Sequence, residues 1–471
     1  MTHAAPSDDG LSRPVSPAEL FPADRTDPVD SADAERRPAR DASAGAAVGG
    51  APRYQRPERF QMRMVTASLN QLLPDDHDVR LVLDFVKRLD LSAFDAEVRA
   101  VAGTAGRPPV PPDLLVALWL WATLRGVASA REIERRCQTD LPWQWLCGEV
   151  SVNHHLLSDF RTAHVARLTA LLVQVVATLR EQGLVSLDRV AQDGMRVRAS
   201  AGSGSFRRRG KLDEFLAEAR TQVAALQSEA DADQGEANRR SVAARERAAT
   251  ERVARLEAAL AQLPELAEKL EKRKKGTGDQ ARASTTDPDA RRMKMADGGT
   301  RPAYNVELAT TDETRLIVGV DVTNQGTDAG RMTPMADQLE QHFGQRPKEH
   351  LADGGFAARD DITSMEQQGT SIFAPIREEE KKRAAGRDPF ARRPGDTDEV
   401  ANWRQRMGTE AAQTIYKLRS SIAEFPNAVF RNRGLRQFLV RGLEKVKAVA
   451  LWQALAYNLT RIVSQGWLAR L

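Results

Sequence analysis

Beyond position 56, apolar residues first recur at helical spacing. Val79, Val82, Leu83, Val86 and Leu89 predict a short amphipathic helix within Asp76–Leu91. The Pro108–Pro112 cluster breaks the chain before a strongly apolar helix over Asp113–Arg125. Ser129, with Glu132 three residues on, is a capping-box signature that opens a helix over Ala130–Cys137. A third helix begins near Ser151 and runs into the ladder Val165, Leu168, Leu172, Val175 and Leu179.

From Val185 the period shortens to two. Strands are predicted over Val185–Asp193, continuing past Gly194 as Met195–Arg198, then over Ala303–Thr310, Leu316–Val322, Glu349–Ala352 and Ser371–Ala374. Helices fall between the later strands, at Asp328–Phe343 and Asp360–Gln368, and a mostly helical segment spans Ile415–Gly434. The gap from Arg198 to Ala303 is far too long for a turn. It carries two heptad seams, Leu212, Leu216, Ala219, Val223, Leu226 and Val253, Leu256, Leu260, Leu263, Ala267, Leu270. Those seams predict an antiparallel helical hairpin inserted into the sheet, with Pro264 expected to kink its second helix. Arg377–Asp398, charged and broken by Gly and Pro, reads as a mobile interruption. Val446–Leu459 is apolar at helical spacing and reads as core.

Composition narrows the class. Met1–Arg56 has almost no large apolar residues and is expected to be disordered. The other 415 of the 471 residues would divide into a helical domain over 57–183 and an α/β domain over 184–471, with the insertion at about 207–280. Only Cys137 and Cys147 occur, without a CxxC pair, so neither a disulfide framework nor a zinc site is supported. The longest apolar runs, Leu114–Leu124 and Leu168–Leu179, fall short of the roughly 20 residues that cross a bilayer. With no signal-peptide pattern, the expectation is a cytoplasmic protein with no membrane partner. A net charge of +4 is compatible with nucleic acid. Helices with tight joints carrying Arg131, Arg135 and Arg136 suit either a helix-turn-helix-like DNA-binding unit or a plain bundle with solvated arginines.

Three acidic residues suggest chemistry. Asp193 and Asp353 each end a strand-like run and precede glycine; Glu424 lies on the late helix, sharing a face with Asn427 and Arg431. Two aspartates on strand ends and a helical glutamate are what a two-metal phosphoryl-transfer site needs. Singly, each has an ordinary alternative: Asp-Gly is common turn chemistry, and Glu424 with Arg431 could be a surface pair. Asp188, Asp297, Asp321 and Asp328 lie near the same strands, Glu410 shares the helix of Glu424, and Asp328 reads as a helix cap. Basic residues cluster as Arg431, Arg433, Arg436, Arg441, Lys445 and Lys447, and again as Arg196, Arg198 and Arg207–Arg209, tracts suited to phosphates.

From about Pro57 to Trp467 the chain resembles bacterial insertion-sequence DDE transposases. The N-terminal stretches PPDLLVALWLW, GVASAREIERRC and HHLLSDFR are similar to the InsH-type helical transposase domain. QDGMRVRASAG, TDPDARRMK, GGTRPAYNVELA, VTNQGTDAGRMTPM and LADGGFAARDDI carry the likeness onward to Ile415–Gly434. The resemblance implies an RNase H-like α/β fold: a mixed five-stranded sheet with flanking helices, preceded by an all-α domain and interrupted by the helical hairpin. It implies that Asp193, Asp353 and Glu424 are the catalytic triad that binds Mg²⁺, with Mn²⁺ able to substitute. Tyr416, Arg419 and Arg431 match the family's Tyr–Arg–Glu–Lys signature, with Arg431 where lysine is usual. Pro426 is a second departure, expected to kink the helix near Glu424. On this reading Tyr416, Arg419, Arg431, Arg433, Arg436, Arg131, Arg135 and Arg161 contact DNA. The expected activity is cleavage at terminal inverted repeats and strand transfer to target DNA, by a homodimer in a synaptic complex. A catalytically idle DNA-binding remnant that represses its element, and a general RNase H-like nuclease, are the alternatives.

Overall fold

A computed structural model describes residues 66–96, 108–231 and 236–471. The tail expected to be disordered lies outside the described residues. The first helices are α1 (Leu69–Leu72), α2 (Asp78–Lys87), α3 (Ser92–Asp95), α4 (Pro112–Leu124), α5 (Ala130–Thr139), α6 (Leu141–Cys147), α7 (His154–Ala163) and α8 (Val165–Glu181). Helix α5 starts where the capping box put it, with Ser129 Oγ accepting from Glu132 N. The third expected helix is two: α7 and α8 meet at His164 with a bend of 68°. No proline or glycine marks that corner. It is set by packing, with the His164 ring against Phe94 and Phe160.

The strands are β1 (Arg189–Arg198), β2 (Phe206–Arg207), β3 (Ala283–Ser284), β4 (Arg291–Lys294), β5 (Thr300–Thr311), β6 (Ile317–Thr323), β7 (Glu349–Leu351) and β8 (Ser371–Phe373). The main sheet runs β6-β5-β1-β7-β8, antiparallel across β6, β5 and β1 and parallel across β1, β7 and β8. Strand β4 shares the outer edge of β5 with β6, pairing at Thr300–Ala303 while β6 pairs at Asn305–Thr310. The sheet is therefore five strands wide, mixed and flanked by helices, as an RNase H-like fold requires.

The helices after β1 are α9 (Arg209–Asp231), α10 (Glu236–Arg273), α11 (Met332–Phe343), α12 (Arg359–Gln367), α13 (Glu379–Ala384), α14 (Asp398–Met407), α15 (Glu410–Asn432) and α16 (Leu443–Ser464). Helix α16 is buried nearly all round, from Val446 to Ile462. It joins one face of the sheet to α4, α7 and α8 in a single core that includes Trp119, Leu157, Tyr304, Trp452 and Leu455. Its N-terminus explains the TDPDARRMK stretch: Asp287 accepts from Gly442 N at 3.1 Å and Asp289 from Leu443 N at 3.0 Å. Tyr304 donates to Asp287 at 2.7 Å and so ties this cap to β5. A second core lies under α11, α12, α14 and the middle of α15, around Ala191, Leu351, Phe356, Ile372 and Trp403.

Helices α9 and α10 pair as the expected hairpin, with Leu212, Ala219, Leu256, Ala259 and Leu263 buried between them. Helix α10 continues through Pro264. The β2–β3 ribbon closes the base of the hairpin. The charged interruption is more ordered than its composition suggested. It contains α13, and Asp396 is fully buried against Arg404, which donates at 2.8 Å.

Candidate active site

Strand β1 alternates, and that alternation sorts its side chains. Asp193 faces α15, where Arg419 Nη2 donates to its Oδ1 at 3.1 Å and Asn427 Nδ2 to its Oδ2 at 2.8 Å. Gln192 and Arg196 point to the opposite face. Asp353 follows β7, the parallel neighbour of β1, and accepts from Gly355 N at 2.6 Å. Glu424 lies one and a half turns beyond Arg419 on α15, and Arg419 Nη1 reaches its Oε1 at 3.4 Å. Arg419 therefore stands as one cation between the carboxylates of Asp193 and Glu424. Its side chain is 11% exposed, that of Asp193 16%, and that of Glu424 61%.

Burial pushes the Asp193 carboxyl up to about 6, opposed by Arg419 and reinforced by the negative charge of Asp353. The phenol of Tyr416, half-buried on the same helix, is raised mainly by burial, with Asp353, Glu424 and Asp193 adding to it. Among the described residues no three His, Cys, Asp or Glu side chains are gathered tightly enough to hold one metal ion. The donor set nevertheless suits a hard divalent cation. The candidate donors are all carboxylate oxygens, two on regular elements and Asp353 in the loop after β7, and their mutual repulsion is only partly offset by one guanidinium.

Each rival carboxylate has a place of its own. Asp188 pairs with Lys348 at 3.0 Å, Asp297 with Arg301, and Asp321 with Lys447 of α16 at 3.2 Å. Glu410 is exposed in the first turn of α15. Asp328 does not cap α11. Asp361 does, accepting from Met332 N at 3.1 Å and Thr333 N at 2.9 Å. Pro426 lies inside α15, buried and within a continuous helix.

The arginines divide. Arg431 and Arg436 are exposed, as are Arg131 and Arg135 on α5, with Arg135 held by Glu132 at 2.8 Å. Arg433 is partly buried and donates to Thr460 at 3.1 Å. Arg161 lies 4.8 Å from the Trp119 ring centre and donates to the Ala128 carbonyl at 2.9 Å, which gives it an internal role at the α4–α5 joint.

Five residues with no assigned role lie on the two faces of β1 here. Asn427 was noted only for its helix face. On the other face of β1, Gln192 Oε1 accepts from His350 Nε2 at 3.0 Å and Gln192 Nε2 donates to Glu307 Oε2 at 3.1 Å. Asn305 Nδ2 donates to Glu307 Oε1 at 2.6 Å and to Asp328 Oδ1 at 2.7 Å. A glutamate inside the apolar run of β5 was the one signal that could have pointed to this network.

Glu307 is 1% exposed. Burial pushes its carboxyl up to about 8, with Asp328 and Asp193 adding and Gln192 opposing. The folded chain thus holds a proton that the unfolded chain, with glutamate near 4.5, releases. Stability is therefore lost as pH rises between those values. Glu307→Gln should remove that loss, gaining about 1–3 kcal/mol at pH 8 and nothing at pH 4. Urea unfolding at the two pH values measures it, and an unchanged pH gradient would count against a protonated Glu307.

Two family models match the chain. One, described as a transposase domain (DUF772), covers residues 67–163; the other, described as a transposase DDE domain, covers residues 275–459. The second includes Asp353 and Glu424 and begins after Asp193. No curated protein and no solved structure matches.

Proposed function

From the premise that the chain belongs to the DDE transposases of insertion sequences, we propose that it binds the terminal inverted repeats of its element, cleaves DNA there and joins the 3′ ends to target DNA. The observation that carries the reading is the meeting of Asp193 on β1 with Arg419 and Glu424 on α15, beside Asp353 at the end of the adjacent parallel strand.

The family works with divalent metal ions and acts on DNA. Here Asp193, Asp353 and Glu424 would hold Mg²⁺, or Mn²⁺ in its place. When bound, the cation supplies activation of water or a 3′-hydroxyl and charge stabilisation on the leaving oxygen. The chain's own residues prepare for this. Arg419 holds Asp193 and Glu424 on the same cation, Asn427 fixes the second oxygen of Asp193, and Gly355 N fixes Asp353. Tyr416 beside the carboxylates, Arg431, Arg433 and Arg436 further along the chain, and Arg131 and Arg135 on α5 are the proposed phosphate contacts.

The test is cleavage of a labelled duplex bearing the element end, in Mg²⁺, against a scrambled duplex. End-specific nicking supports the reading. Indifference to sequence would make the protein a general nuclease, and binding without nicking an idle remnant. The α9–α10 hairpin is proposed to organise a synaptic homodimer. Removing Gly210–Lys272 should lower paired-end complexes on native gels at least fivefold while single-end binding persists; an unchanged complex would remove the hairpin from assembly.

A further inference from the structure

The glycines after the two aspartates do more than turn the chain, although Asp353 Oδ1 does accept from Gly355 N in a turn. Neither Gly194 nor Gly355 is among the glycines with positive φ. Both are instead places where a side chain would have no room. A Cβ on Gly194 would lie 3.1 Å from Asp328 Oδ1 and 3.1 Å from both amide atoms of Asn305. A Cβ on Gly355 would lie 2.7 Å from Asp353 Oδ1 and 3.3 Å from Asp328 Oδ2. At Gly355, carboxylate oxygens from two different segments thus approach the backbone more closely than a side chain there would permit.

Asp328 is held in that position. Asn305 Nδ2 uses its two hydrogens on Asp328 Oδ1 and Glu307 Oε1, and Arg196 stands 3.5 Å from Asp328 Oδ2. This leaves the Oδ1 of Asn305, fully buried and beside the Gly194 space, without a partner. A buried acceptor without a partner beside Asp328, together with the Asp328 and Asp353 carboxylates meeting at Gly355, calls for a cation or its water ligands. Asp353 links the two sides, since its charge acts on Asp193 and its Oδ1 shares the Gly355 space with Asp328.

We propose that Asp328 is a fourth carboxylate of the cation-binding centre, set beside Asp353 by Asn305 and by the close approach that Gly194 and Gly355 permit. The proposal rests on the assignment of Asp193, Asp353 and Glu424 to that centre. Asp328→Asn keeps the size of the side chain and an acceptor for Asn305, and removes only the charge.

The experiment is Mn²⁺ titration of the full chain without DNA, read by electron paramagnetic resonance, with thermal melting as the control for folding. Asp328→Asn is expected to weaken Mn²⁺ binding about tenfold or more at an unchanged melting temperature. Should it fail to fold, Asp328→Ser is titrated, with the same loss expected. Unchanged binding in the folded Asp328 variant, with binding lost in Asp353→Asn, overturns this proposal and leaves the triad standing. Unchanged binding in Asp353→Asn and Asp193→Asn overturns the triad, and the role of Asp328 with it.

Discussion

Asp353→Asn is expected to lose strand cleavage by about 10³-fold or more while element-end binding stays within about twofold. The size follows from the change being one of charge alone. Asparagine keeps an oxygen to accept from Gly355 N, so the loop after β7 should hold its shape. What disappears is half of the adjacent negative pair, Asp193 and Asp353, proposed to draw a divalent cation. Several kcal/mol of charge stabilisation goes with it. Nicking of an end-labelled duplex in Mg²⁺ measures the loss, and a gel shift measures the retained binding. Cleavage within tenfold of the unsubstituted protein would take Asp353 out of the chemistry.

Arg419→Ala should act on two carboxylates at once. It removes the cation shared by Asp193 and Glu424, and with it the main force opposing the raised pKa of Asp193. A carboxyl already near 6 then moves higher, and a protonated Asp193 cannot bind a cation. Cleavage is expected to fall about tenfold at pH 8 and by a further factor of about ten at pH 6, so that the acid limb of the rate profile shifts toward alkaline pH. Arg419→Lys keeps the charge but cannot fork to both partners, and an intermediate profile follows. A uniform loss at all pH values would mean that Arg419 matters for folding or DNA contact and not for the ionisation of Asp193.

Much of this architecture could be read along the chain because it rests on periodicity. The five strands of the main path, the hairpin seams and the buried α16 all showed their spacing. What periodicity could not show is anything decided by a partner far away. The corner at His164 depends on Phe94, and α6 is short and begins with Leu-Pro, which gives little pattern to detect. Strand β4 takes its place from its pairing with β5. At the site, Asp193, Asp353 and Glu424 could be picked out as candidates by their places in the predicted strands and helix, although Asp193 lies inside β1 and not at its end. Asn427 and Asp328 could not. Each owes its place to a partner more than twenty residues away: Asp193 for one, Asn305 for the other. Asp328 was set aside because an aspartate ahead of a helix usually caps it, and here Asp361 had taken that task. The two glycines were read as turns because sequence shows what a residue permits, and not what approaches it.

The β2–β3 ribbon bears on the order in which the chain comes together. Strands β1 and β5 are neighbours in the sheet but lie on either side of the whole helical insertion. Loop-closure entropy alone would make their meeting slow, because long-range contacts must wait for chance encounters of distant segments. The α9–α10 hairpin has its own local contacts and can form before any of the sheet does. Once it has formed, and Phe206–Arg207 lies against Ala283–Ser284, the two ends of the insertion are already together. The segment left to search is then only the short linkers on either side of the ribbon. An insertion that looks like a burden on folding is thus expected to act as a nucleation clamp, letting the strand carrying Asp193 find its partner almost as a hairpin would.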